Sequence, residues 1–222
     1  MVEKLIEKTG PAVQLEPAAK TKGERTRERI MDVAYESIVQ KGFAATSVEE
    51  LVEAAGITKS GFFYHFKDKN DLARQLFERF LTEDERIVET LANRARELSD
   101  DPLQSLLIFL NLYAQMMDDM EGLHPGCMVA SVTYQERLFD GEIKRMNVEY
   151  LMRMRARFRD WFQEIAQRTP ARVEVDLDAL SDHLTVIVEG AIIYSKALQD
   201  GGLMGKQTRL FRQHVKLLFD AR

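Results

Sequence analysis

Hydrophobic residues along this chain recur every three or four positions from about residue 24 to the end, which is the period of an α-helix. Ile30, Val33, Ala34, Ser37 and Ile38 share one face of a helix predicted from Glu24 to Lys41, with Gly42 ending it. Val48, Leu51, Val52 and Ala55 mark a short second helix. Leu72, Leu76, Phe80, Ile87 and Leu91 run along a long one from Lys69 to Leu98, which Asp68 can cap. The SDDP stretch breaks it and puts Pro102 at a first helical position, where its missing N–H costs nothing. Further helices are predicted over Leu103–Met120, Gly126–Phe139, Glu142–Arg168, Leu177–Gln199 and Lys206–Phe219, the last two parted by Gly201 and Gly202. Met146, Tyr150, Met154, Phe158, Trp161, Phe162 and Ile165 line the apolar faces of the 142–168 helix. Val173 and Val175 alternate as in a strand, but no partner strand is present to pair with them. The fold class is therefore all-α, about nine helices. Residues 1–22 carry Gly10, Pro11 and Pro17 without any sustained period, and read as a mobile N-terminal arm.

The stretch TSVEELVEAAGITKSGFFYHFKDK, Thr46 to Lys69, is the most specific in the chain. Ser47 can cap one short helix while Glu50 reaches back to the cap, a capping box. Gly56 stands where the chain must leave that helix through a left-handed conformation. Thr58 can cap the next helix, with Ile57 before it able to staple onto Phe62 inside it. Helix, three-residue turn and helix make a helix-turn-helix, whose second member reads DNA. Phe62 and Phe66 are four apart and face the domain interior, leaving Lys59, Ser60, Gly61, Phe63, Tyr64 and His65 elsewhere. Lys59 falls in a first turn, where the helix dipole disfavours a cation; a phosphate or a guanine edge would compensate it. Gly61 is a poor helix residue, but it lets the backbone approach a groove. Tyr64 and His65 can donate to phosphates, and Lys67 and Lys69 extend the basic rim. A solvated lysine and a surface histidine are the plainer alternatives at Lys59 and His65.

From Arg25 to about Phe80 the chain resembles the DNA-binding domain of the TetR family of one-component transcriptional regulators. The resemblance rests on KGF, the Thr46-Ser47 pair, AAGI, the aromatic run before His65-Phe66-Lys67 and the closing K-x-D-L. It implies that Lys59, Ser60, Gly61 and Phe63 face base edges, and that Thr46, Ser47, Tyr64, His65 and Lys69 hold the phosphate backbone. Family members often carry Tyr where this chain has Phe63, so a hydroxyl contact is replaced there by apolar packing. The implied organisation is a helix-turn-helix domain over 23–69 and a larger helical ligand-binding and dimerisation domain over 70–222. The implied partners are a double-stranded DNA operator, a small-molecule inducer and a second copy of the chain.

Charge changes this picture in one respect. The net charge is –5, the wrong sign for a simple nucleic-acid footprint, yet residues 1–80 balance at 13 basic and 13 acidic. Lys20, Lys22, Arg25, Arg27 and Arg29 precede or open the first helix, whereas Glu49, Glu50 and Glu53 lie on the helix behind the reader. Placement of charge rather than its sum must attract the duplex, and binding should be salt-sensitive. One cysteine forbids an internal disulfide, no run of 18 apolar residues suggests a membrane span, and the first residues lack a secretory pattern. These point to a reducing cytoplasm.

For a ligand, the larger domain offers rings and thioethers that adapt to varied shapes: Phe109, Tyr113, Met116, Met117, Met120, Met128, Tyr134, Phe162 and Tyr194. Ser131, Thr133, His183 and Glu189 can orient it. The same residues also suit an ordinary core. Ala179, Gly190, Ala191, Ser195 and Ala197 allow close helix approach in a dimeric four-helix bundle. Cys127 is placed at a helix N-terminus in HPGCMVASV, where a thiol ionises more readily, so a repressor sensing electrophiles or oxidants is the alternative. An all-helical enzyme is a weaker one. Glu121 and His124 have the Glu-x-x-His spacing of di-iron bundles, but a second such pair is missing. No phosphate-cradling glycine loop, zinc pattern or G-x-S-x-G elbow is present, so neither a cofactor nor a metal is expected.

Overall fold

A computed structural model describes residues 20–120 and 122–219. Among them are nine α-helices: α1 Lys22–Lys41, α2 Val48–Ala54, α3 Lys59–His65, α4 Lys69–Leu98, α5 Pro102–Asp118, α6 Met128–Tyr134, α7 Gly141–Arg168, α8 Leu177–Leu198 and α9 Leu203–Phe219. One 3-10 turn, Glu136–Leu138, lies between α6 and α7, and no strand occurs among the described residues. The all-α expectation holds. Most of the expected arm, residues 1–19, lies outside the described residues.

Two boundaries differ from expectation for legible reasons. Thr21 caps α1 through a capping box with Glu24, starting the helix at Lys22 rather than Glu24. The predicted 126–139 helix is instead α6 and the 3-10 turn, broken at Gln135, whose backbone leaves the helical region. Elsewhere α8 ends on Gln199 in the left-handed conformation (φ 56°), ahead of Gly201 and Gly202. The 169–176 link is irregular, tied by an Arg172 N–H donated to the Leu218 carbonyl at 2.9 Å.

The chain forms two compact units. The first contains described residues 20–83 and 125–148, and the second 84–124 and 149–219. The division falls inside α4 and α7. In the first unit, Ile30, Ala34 and Ile38 of α1 meet Leu51, Ala55, Phe62, Phe66, Leu76 and Phe77, all buried. Phe43 packs against Phe139, the rings tilted at 37° with centroids 4.6 Å apart, carrying the core toward the start of α7.

The second unit is built on α9, which packs against α5 and α8. Val88, Leu91 and Ala95 of α4, Leu106, Phe109 and Leu110 of α5, and Phe158, Trp161, Phe162 and Ile165 of α7 are buried in it. Trp161 donates its indole N–H to the Pro102 carbonyl (3.1 Å) and approaches the Ser105 hydroxyl at 3.3 Å. That satisfies the one polar atom of the largest core side chain.

Candidate nucleic-acid interface

The two helices of the reading motif stand as their caps dictate. Ser47 accepts the Glu50 N–H at 3.2 Å while Glu50 accepts the Ser47 N–H at 3.1 Å, so the capping box closes α2 at its start. Gly56 takes φ 61°, and a Cβ placed on it would meet nothing within 4 Å, so conformation rather than space calls for glycine there. Thr58 then accepts the Gly61 N–H at 3.1 Å and opens α3. Phe62 is wholly buried and Phe66 nearly so, although Phe66 is the residue after α3 and extended rather than a member of the helix. With those rings inward, Phe63 is 49% exposed and Tyr64 83% exposed. Lys59 and Ser60 are exposed, and Gly61 and His65 are partly so. Tyr64 meets the His65 ring edge-on at 5.0 Å.

Lys59 already has a partner. Its ammonium lies 2.6 Å from Glu49 on α2, which supplies the compensation for a cation in a first turn that sequence alone leaves missing. Both side chains are well exposed, so the pair is weak, salt-screened and exchangeable for a phosphate or base. The Lys59 contact holds the Glu49 carboxyl below its ordinary range.

Three further residues expected at the duplex have structural duties. Thr46 corrects the reading: it is buried, donates its hydroxyl to the Gly42 carbonyl (3.0 Å) and sits 2.9 Å from the Ser37 hydroxyl. Those bonds turn it inward, where it fixes the α1–α2 turn instead of meeting a phosphate. Lys69 donates to the Phe43 carbonyl and lies over the Phe43 ring at 4.1 Å, and partial burial lowers its pKa. Ser47 is committed to the cap, half-buried but still at the surface. Sequence reasoning missed Gln135, which accepts the Ala44 N–H at 3.3 Å and abuts Gly42, because a lone glutamine 91 positions away carries no local signal.

Glu50 is the most perturbed surface acid of the motif. Lys41 first, then the Ser47 N–H and hydroxyl, hold its carboxyl down at about 2. A depressed folded pKa stabilises above the unfolded value and loses that contribution as the pH falls. Glu50→Gln should therefore lower the thermal midpoint near neutrality. The difference from wild type should shrink as the pH drops from 4.5 toward about 2, which a pH series of melts would reveal.

Cys127, Met128, Ser131 and Tyr134 belong to the first unit, whereas Phe109, Tyr113, Met116, Met117, Met120, Phe162, His183 and Tyr194 belong to the second. Tyr134 and Tyr194 are corrections: at 77% and 63% exposure they face outward, because their neighbours Val132, Ile192 and Ser195 take the inward positions. The Ser131 hydroxyl is engaged by the Cys127 carbonyl at 3.0 Å. Phe109 is ordinary core, packed on Phe158 (5.7 Å) and Trp161 (5.5 Å). His183 lies edge-on to Phe211 at 5.3 Å and to His214 at 5.6 Å. Cys127 stands at the N-cap of α6 without a side-chain capping bond. Glu121 lies outside the described residues, and burial lowers the pKa of His124 to about 4. Among the described residues no group of three His, Cys, Asp or Glu side chains can hold a metal, and no helix is long and apolar enough to cross a membrane.

Residues 30–76, which span this reading motif, match the family model of bacterial regulatory proteins, tetR family. These residues carry the regulatory domain of that family. Over 63 residues it is 44% identical to the HTH-type transcriptional regulator AcrR of Shigella flexneri, an alignment covering 28% of this chain and 29% of that one. It is 23% identical over 187 residues to the transcriptional regulator AcuR of Cereibacter sphaeroides, 84% of each chain. A TetR-family regulator from Agrobacterium tumefaciens superposes with a TM-score of 0.72 at 19% identity, covering 87% of this chain and 98% of the other. A regulatory protein TetR from Rhodobacter sphaeroides gives 0.67 at 23% identity over 85% and 98%. The chain thus shares a 63-residue stretch with AcrR and its fold with the two solved structures. The chain spans less than a third of AcrR, and the family match lies in the helix-turn-helix motif.

Proposed function

We propose that the chain acts as a homodimeric repressor, released from a palindromic operator when a small molecule binds its second unit. The observation that carries the reading is the outward side of α3, where Lys59, Ser60, Phe63 and Tyr64 are exposed while Phe62 is sealed inside. Lys59, Ser60, Gly61 and Phe63 would meet base edges, with Ser47, Tyr64 and His65 on the phosphates. Lys59 would exchange Glu49 for the duplex.

A twofold partner is supported by the apolar side chains left exposed on α8 and α9. Val186, Ile193, Tyr194 and Leu198 of α8, and Leu210 and Leu217 of α9, are all exposed, a concentration that a second copy would cover. Two readers related by a dyad call for an inverted repeat with half-sites about one helical turn apart. Because α4 and α7 each run through both units, a ligand that shifts either helix can change reader separation. The coupling needed is typically about 1–3 kcal/mol.

Lys59→Ala should lower operator affinity by about 1–3 kcal/mol in a titration at fixed salt. DNA selected from a random pool by the wild-type protein should contain an inverted repeat. Unchanged affinity in the variant, or a selected site without dyad symmetry, would remove the reader assignment.

A further inference from the structure

The outward sides of α8 and α9 each carry a stripe without acid, lysine or arginine, and one histidine interrupts each stripe. On α8 it runs His183, Val186, Gly190 and Ile193, at spacings of three, four and three, with Val186 and Ile193 exposed. On α9 it runs Leu210, His214 and Leu217, at spacings of four and three, all exposed. The two histidines meet, their ring centroids 5.6 Å apart and their planes at 74°. Phe211, itself buried, stands edge-on to both, 5.3 Å from His183 and 6.2 Å from His214, and holds the pair in place.

Among the described residues no carboxylate pairs with either histidine. Asp178 and Asp182, the acids of α8 nearest His183 in sequence, are drawn to α7, where they pair with Arg159 at 2.7 Å and Arg155 at 2.5 Å. On α9 the charged residues flanking His214 are Lys216 and Arg212, which donates to the Leu107 carbonyl of α5 at 2.9 Å. Both are cations. Enclosure first, and then His214, lower the pKa of His183 from 6.5. Neutral, the pair matches the apolar residues around it. Protonated, it sets an unpaired charge into a face that loses its water when covered.

We propose that His183 and His214 make self-association through the α8–α9 face acid-labile: a second copy covers the face while the pair is neutral and is shed once it takes up a proton. This rests on the homodimer reading above and adds its regulation. A second copy is the occupant that fits, because the face offers no charge for an unlike partner to match, and two stripes of one spacing can pair about a twofold axis. The sign follows from linkage. Covering the imidazoles favours their neutral form, so association releases protons and weakens as the pH falls below about 6.5. A twofold dimer contains two such pairs, which doubles the effect.

The test measures the dimer dissociation constant of the full chain by sedimentation equilibrium at about pH 7.5 and about pH 5.5, with circular dichroism following helix content at both. The constant should rise about tenfold on acidification while helix content is unchanged. His183→Gln and His214→Gln should each stay dimeric at the higher pH and lose much of the response, and the double variant should lose all of it. Wild type alone supplies a second readout where a variant does not fold. Its heat of association, compared in buffers of different ionisation enthalpy, should report release of about one proton per dimer near pH 6. A dissociation constant indifferent to pH, zero proton release, a response that survives in the double variant, or dissociation that only follows loss of helix overturns the acid switch and leaves the homodimer standing. A chain that is monomeric at both pH values removes the homodimer reading as well.

Discussion

Replacing Phe62 by Ala should destabilise the first unit by about 3–5 kcal/mol and eliminate operator binding at ordinary temperatures. The ring has no exposure and meets Phe66 at 5.7 Å and Phe63 edge-on at 5.3 Å. Arg27 lies over Phe66 at 5.6 Å, which limits how far that neighbour can collapse into the vacated space. The loss thus combines removed apolar contact with a residual cavity. Because α3 has only 7 residues, tertiary packing supplies nearly all of its order. The control is Phe63→Ala one position on. Its ring is about half exposed, so the melting midpoint should move little while operator affinity falls. Parallel melts and gel shifts separate the two. A Phe62→Ala protein that melts like wild type would show that α3 is not held by its inward ring, and the exposed reading face would lose its basis.

The reading motif is legible from sequence because it is local. Ser47–Glu50, Gly56 and Thr58–Gly61 act within a few residues, so cap, turn and cap are written in consecutive letters and recur in the structure. The inward direction of Phe62 follows from the same period. Lys59 shows where locality ends. Its partner Glu49 stands only ten residues back, but the pairing depends on how α2 and α3 cross, which no periodicity encodes. Thr46 fails for a related reason: a threonine beside a cap looks like a phosphate donor until the fold brings Ser37 and the Gly42 carbonyl to it. The larger helices are legible to within a few residues at most ends, whereas their outward sides are not. Tyr134 and Tyr194 look identical in sequence to core tyrosines, and only the packing around them turns them to the surface.

In the second unit the largest effect is expected at Trp161. Trp161→Ala should cost about 3–5 kcal/mol, and Trp161→Phe about 1 kcal/mol, because the two remove different things. Alanine leaves a cavity against Phe109, whose ring is 5.5 Å away, and removes the surface under Arg96, stacked at 4.6 Å. It also strips a donor from the Pro102 carbonyl. Phenylalanine keeps most of the ring volume and loses mainly that donor. The carbonyl is not orphaned in either variant, since the Ser105 hydroxyl still donates to it at 3.1 Å, and this holds the phenylalanine cost near the low end. Adding Ser105→Ala to Trp161→Phe should then cost more than the two single changes together, because the buried Pro102 carbonyl loses its last side-chain donor. Thermal melts followed by far-ultraviolet circular dichroism give all four stabilities, since the chain has one tryptophan and fluorescence disappears with it. Strict additivity would mean that the N–H carries no weight and that ring volume alone fixes α5 against α7.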